Sequence, residues 1–150
     1  MKQHNKRGAG RTEAMIGVAV LALIGLVAVP LGVNMSKKSK RNELVVNVDS
    51  LRTVVIAHHD AFQEYVNAAA SPRPNFEVNG TPKAWAPSAG FQKLSWAPEQ
   101  PEVLGSYSVT VTDDGFKIIG TSDIDEDGVR AIVEASASAP ARLVTDDAVY

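Results

Sequence analysis

The 150-residue chain is predicted to be an α+β protein, with a long N-terminal α-helix packed on a small C-terminal antiparallel β-sheet. Three observations predict this. Ala14 to Val33 is a run of twenty residues without a charged side chain. Residues 43–70 repeat their apolar positions at helical spacing. Residues 107–122 alternate apolar and polar side chains on either side of an Asp-Asp-Gly turn.

Charge divides the chain in the same way. Residues 1–42 carry eight Lys or Arg against the single acid Glu13, a net of +7. Residues 43–150 carry seven basic and sixteen acidic residues, a net of −9. This excludes a uniform soluble globule, and it gives no direct indication of a nucleic-acid partner. The chain has no cysteine, which excludes a disulfide scaffold, a thiolate zinc site and a Cys nucleophile.

The first element is the apolar run. At about 1.5 Å per residue it makes roughly 30 Å of helix, the thickness of a bilayer core. It is longer than the apolar core of a secretory signal peptide, and a basic stretch to Arg41 follows it. Retention in the membrane as a single span is therefore expected. The short basic tail with Lys2, Lys6, Arg7 and Arg11 favours the cytoplasm, and long acidic domains translocate largely regardless of charge. The expected orientation is N-in, C-out. Lys37, Lys38, Lys40 and Arg41 read as an anchor for anionic headgroups.

The second element continues the first. Val48, Leu51, Val55, Phe62, Val66 and Ala69 fall on one helical face, and no Gly or Pro interrupts residues 34–70. A single rod from Ala9 to Ala70 would span 62 residues, or roughly 90 Å. Pro30 is its expected kink, because proline cannot donate to the helix ladder. The stripe on residues 34–70 needs a partner surface.

Residues 71–90, with Pro72, Pro74, Gly80, Pro82 and Pro87, read as a surface loop anchored by Trp85. Tyr107 to Thr112 reads as a half-buried strand, Asp113-Asp114-Gly115 as a hairpin turn, and Phe116 to Ser122 as the returning strand. An acidic turn, Asp123 to Gly128, leads to a third strand at Val129 to Ala135. Phe91 to Trp96 offers a fourth strand, and residues 136–150 are weakly patterned. Such a sheet is the natural cover for the helix stripe.

Two clusters invite a chemical reading. Asp123, Asp125, Asp127 and Gly128, with Glu134 at the twelfth position, formally complete an EF-hand pattern. The preceding residues are not helical, however, and a strand over Val129 to Ala135 would carry Glu134 about 23 Å beyond Asp127. Two readings remain side by side: a calcium-binding turn using the three Asp and a backbone carbonyl, and a solvated acidic turn. His58-His59-Asp60 is the other cluster, but adjacent helical residues point about 100° apart and do not converge on one ion. No nucleophile–base spacing or phosphate loop is present, and neither an enzyme activity nor a required cofactor is expected.

The N-terminus is more specific. MKQHNKRG is a short basic leader ending at Gly8; Glu13 stands five residues after it and Pro30 twenty-two residues after it. This arrangement, followed by apolar run, amphipathic helix, loop and sheet, resembles the type IV pilins and pseudopilins and covers essentially the whole chain. Ala9-Gly10-Arg11-Thr12 departs from the apolar start usual in that family. The resemblance implies a pilin-like organisation. Residues 1–8 would be the leader, 9–33 the transmembrane and assembly half of the helix, 34–70 its amphipathic half, 71–90 the loop, and 91–150 the sheet head with the C-terminal segment.

It also implies cleavage between Gly8 and Ala9 by a prepilin peptidase and N-methylation of Ala9. The subunit would be stored in the bacterial inner membrane and polymerised by assembly machinery there into a homo-oligomeric filament. Glu13 would pair with Ala9 of a neighbouring subunit; otherwise it is an interfacial residue reaching water. The expected function is thus a structural subunit of a type IV pilus-like filament at the cell surface. The alternatives are a periplasmic pseudopilin of a type II secretion system and an anchored extracytoplasmic binding module that never polymerises.

Overall fold

The computed structural model describes residues 37–150. Gly8, Ala9, Glu13, Pro30 and the apolar run lie outside the described residues. Among the described residues, no helix is long and apolar enough to cross a membrane.

The described chain is α+β, a helix followed by an antiparallel sheet. Helix α1 (Lys37–Phe62) is followed by strand β1 (Ala68–Ser71), a 3-10 turn (Asn75–Glu77) and strand β2 (Lys83–Ala84). Helix α2 (Ala89–Leu94) comes next, then β3 (Glu102–Val103), β4 (Ser106–Thr112), β5 (Gly115–Ser122), β6 (Ala131–Ser136) and β7 (Arg142–Leu143). The main sheet has the order β1-β4-β5-β6-β7, all antiparallel. β2 and β3 form a separate two-stranded ribbon.

The helix stripe explains the packing. Leu44, Val48, Leu51 and Val55 recur at steps of four and three and are buried. They lie against Tyr107 and Val109 of β4, Phe116 and Ile118 of β5, and Val133 and Ala135 of β6 in one core. Full burial of each aliphatic side chain contributes about 1.5–3 kcal/mol. Gly120 lets the helix approach: a Cβ there would stand 2.6 Å from Val48 Cγ2 and 3.1 Å from Leu44 Cδ1. A second apolar group joins this core. Trp85 meets Phe91 and Trp96 at ring distances of 5.2 Å each, and so anchors the 71–90 loop as expected.

The three consecutive strands expected between residues 107 and 135 form the centre of the sheet. Thr112 pairs with Gly115, so Asp113-Asp114 is a two-residue turn. Three other expectations are corrected. The helix ends at Phe62 rather than near residue 70. Gln63 adopts φ 57°, its N–H donates to His59 O (2.7 Å), and its side-chain amide donates to Asp60 O (3.2 Å). That left-handed residue satisfies the terminal carbonyls as a C-cap does, but without the glycine that usually signals one. Phe62 is accordingly 67% exposed, Val66 is buried beyond the helix, and Ala69 belongs to edge strand β1.

Phe91 to Trp96 is not a strand. Phe91 and Leu94, three residues apart, are both buried from the short helix α2, which Ser95 closes in the left-handed conformation. Gly90 permits this packing, since a Cβ there would stand 2.1 Å from Asn67 O. The 71–90 segment is not wholly irregular either; it carries β2 and the first two residues of α2. The weakly patterned C-terminus adds β7, paired with β6 through Val133–Leu143 and Glu134–Arg142.

Candidate metal centre

The connection from β5 to β6 holds the acidic turn. Glu126 (φ 60°) and Gly128 (φ 84°) reverse the backbone within it. Asp123 Oδ2 accepts from Gly128 N (3.1 Å), and Asp127 Oδ1 accepts from Val129 N (2.7 Å). One carboxylate oxygen from each of Asp123, Asp125 and Asp127 lies within 4.8 Å of the others.

The three carboxylates differ in exposure. Asp123 is 3% exposed, and its Oδ1 has no hydrogen-bond partner. Asp125 is half-buried; its Oδ1 is also buried without a partner, while its Oδ2 lies 3.2 Å from Lys37 Nζ. Asp127 is exposed. The surrounding chain holds the turn in place. Ile124 N donates to Tyr150 O (2.9 Å). The 71–90 loop covers the turn at Gly80, where a Cβ would stand 2.9 Å from Asp123 O and 3.1 Å from Ile124 O.

The other sequence-selected residues are not drawn in. Glu134 lies on β6, opposite Ile119 in register, and pairs with Lys117 (2.6 Å). It is not among the acids whose carboxylate oxygens converge at the turn. His58 packs on Phe62 at 4.7 Å and His59 stacks on Tyr65 at 4.1 Å, so the two imidazoles engage separate rings.

Sequence patterning missed the polar contacts that join the start of α1 to the head. Arg41 is buried. Its guanidinium donates to the carbonyls of Asp147 and Val149 (2.7 Å each) and to Asp147 Oδ1 (2.6 Å), and lies over the Tyr150 ring at 5.1 Å. Lys38 also reaches Asp147 (3.0 Å). Hydrogen bonding from Lys38 and then Arg41 holds the Asp147 carboxyl below the usual carboxylate range. The cluster expected to anchor headgroups thus directs three of its cations to the protein's own acids. Nothing local in residues 37–41 signals that, because the partners lie about a hundred residues away in sequence.

Two residues after Arg41, Glu43 enters the helix–sheet interface. Its Oε1 accepts from Leu104 N (3.2 Å) and from the Tyr107 hydroxyl (3.4 Å), which in turn accepts from Asn47 Nδ2 (2.8 Å). Burial raises the Glu43 carboxyl above its ordinary value, against the two hydrogen bonds that lower it. Burial, and then the Glu43 charge, push the Tyr107 hydroxyl far above its usual range. The folded state therefore holds the Glu43 proton more tightly than the unfolded chain does. Its contribution to stability is fully present below the ordinary glutamate value and is lost as pH rises through the folded value. Glu43→Gln keeps the Oε1 acceptor without the charge. It should melt a few degrees above wild type at pH 7.5, with the gap closing toward pH 4. Thermal melts of both proteins across that range check this; a gap independent of pH contradicts it.

Compared with known proteins, the chain matches no family model, no curated protein and no solved structure.

Proposed function

We propose that the protein is a structural subunit of a type IV pilus-like filament. It is stored in the inner membrane with its N-terminus inside and its head outside. A prepilin peptidase cleaves between Gly8 and Ala9, Ala9 is methylated, and the subunit polymerises through its N-terminal helix.

The observation that supports this best is helix α1. It follows the twenty-residue apolar run in sequence after only three residues, Asn34 to Ser36. It then buries a single stripe, Leu44, Val48, Leu51 and Val55, under an antiparallel sheet. The two segments would do two jobs in one chain. The apolar run is soluble only in lipid or in a bundle of its copies, and α1 completes the core of a head that the sheet alone would leave open.

The test is to shear surface filaments from cells, image them, and repeat this after deletion and complementation. Filaments should vanish on deletion and return with the gene. Loss of protein export without loss of surface filaments would move the subunit to a type II pseudopilus. No change in either would leave an anchored binding module.

A further inference from the structure

We propose that Asp123, Asp125 and Asp127 form a divalent-cation site in which the Lys37 ammonium is a built-in competitor. A calcium ion binding the turn displaces Lys37 from Asp125 and so removes one contact between the first turn of α1 and the head.

Three converging carboxylates alone do not make a site, since acidic turns are common on protein surfaces. Here a second feature points to a ligand. Asp123 is 3% exposed, faces the cluster, and leaves Oδ1 without a partner. A buried carboxylate oxygen is ordinarily satisfied, because desolvating a charged acceptor is costly. Asp125 Oδ1 has the same deficit. A cation coordinated by one oxygen from each Asp supplies the missing interaction for the cluster and relieves the mutual repulsion of three charges.

The donor set selects the kind of ion. All the protein ligands are carboxylate oxygens, which suit hard cations. Asp127 is exposed, so water fills the remaining positions. Calcium accepts six to eight oxygens in irregular geometry, whereas magnesium demands a near-ideal octahedron and sheds water reluctantly. Calcium is therefore the better fit. With only three protein ligands its affinity falls in the range of extracellular modules, Kd about 10⁻⁴–10⁻³ M.

Lys37 sets the second half of the proposal. Its Nζ is 3.2 Å from Asp125 Oδ2, and its side chain is 58% exposed. The ammonium partly neutralises the cluster and can swing into water without leaving a buried charge behind. Calcium and the ammonium compete for the same carboxylate. The other ties of α1 to the C-terminal segment, through Lys38 and Arg41, do not involve the turn. Cation binding thus loosens the helix start at one contact while leaving the head folded.

Calorimetry of the full chain in a neutral detergent at low ionic strength tests this, with calcium chloride and magnesium chloride as titrants. Wild type should bind calcium in the range above and magnesium more weakly. Lys37→Gln should tighten calcium binding by roughly two- to fivefold, the equivalent of one partly exposed ion pair. Asp125→Asn should abolish the heat. Asp127→Asn, at an exposed position whose change leaves the fold intact, should weaken binding by about tenfold or more. Absence of calcium-dependent heat from both wild type and Lys37→Gln would overturn the site. Equal affinities for those two proteins would overturn the competition. Filament assembly is not read in this experiment, so its outcome is independent of the function proposed above.

Discussion

Glu13→Ala should be processed and inserted into the membrane normally, yet yield few or no filaments. Removal of the proposed leader would expose an α-amino group at Ala9, largely protonated at neutral pH. In a bundle of apolar helices the Glu13 carboxylate would otherwise be a desolvated, unpaired charge. Leaving one partner of such a pair buried costs about 3–5 kcal/mol, on the order of a hundredfold or more in assembly equilibrium. In the proposed filament the new amino terminus of the neighbouring subunit would remove that cost. It would also set the axial stagger, because a shifted subunit would leave both charges unpaired. The apolar segments would supply affinity without register, and the charge pair would supply register. An uncleaved chain would have no amine at that position, so cleavage is expected to precede assembly. Arg11→Ala should be milder, since Arg11 lies outside the proposed pair. Sheared filaments are imaged, with membrane fractions as the control for insertion. A normal filament yield from Glu13→Ala would place the residue at the water interface instead.

Gly90→Ala should destabilise the head by about 3 kcal/mol or more, at or beyond the upper end of usual overpacking costs. The added Cβ would meet Asn67 O at 2.1 Å and Ala68 Cα at 2.6 Å. Both are backbone atoms at the entry to β1, so no side chain can swing away to make room. Relief requires α2 to retreat from β1, and that withdraws Phe91 from the core it shares with Trp85 and Trp96. Gly128→Ala is the control. Its φ of 84° is strained for alanine, but a Cβ there has nothing within 4 Å. It should cost only about 1 kcal/mol. Denaturant unfolding of the three proteins gives the comparison; similar losses for the two variants would contradict the close packing at Gly90.

The two glycines also mark where sequence patterning stops being informative. Val48, Leu51 and Val55 were legible because period-3.6 spacing is a local property, and the sheet faces them with Tyr107, Val109 and Ile118 at period two. The helix end was not legible. Gln63 performs a C-cap with a backbone conformation that its identity does not announce. Phe91 and Leu94 are compatible with either a short helix or a strand, and only the close approach of Gly90 to β1 decides between them. The acidic turn was legible from the spacing of Asp123, Asp125 and Asp127. The contacts of Lys37 and Tyr150 with it were not, because pairings between residues distant in sequence, 88 apart for Lys37 and Asp125, leave no periodic trace. Burial of Arg41 under Asp147 and Val149 is hidden for the same reason.

The most direct test of the filament-subunit proposal is the intact mass of the mature chain purified from membranes. A leader ending at Gly8, removed on the cytoplasmic side, leaves the apolar run in place and a methylated amino terminus behind. The measured mass should correspond to a chain running from Ala9 to Tyr150 with one added methyl group. A mature chain beginning beyond Val33 would contradict it, because the segment proposed to anchor and assemble the subunit would have been discarded as an ordinary signal peptide.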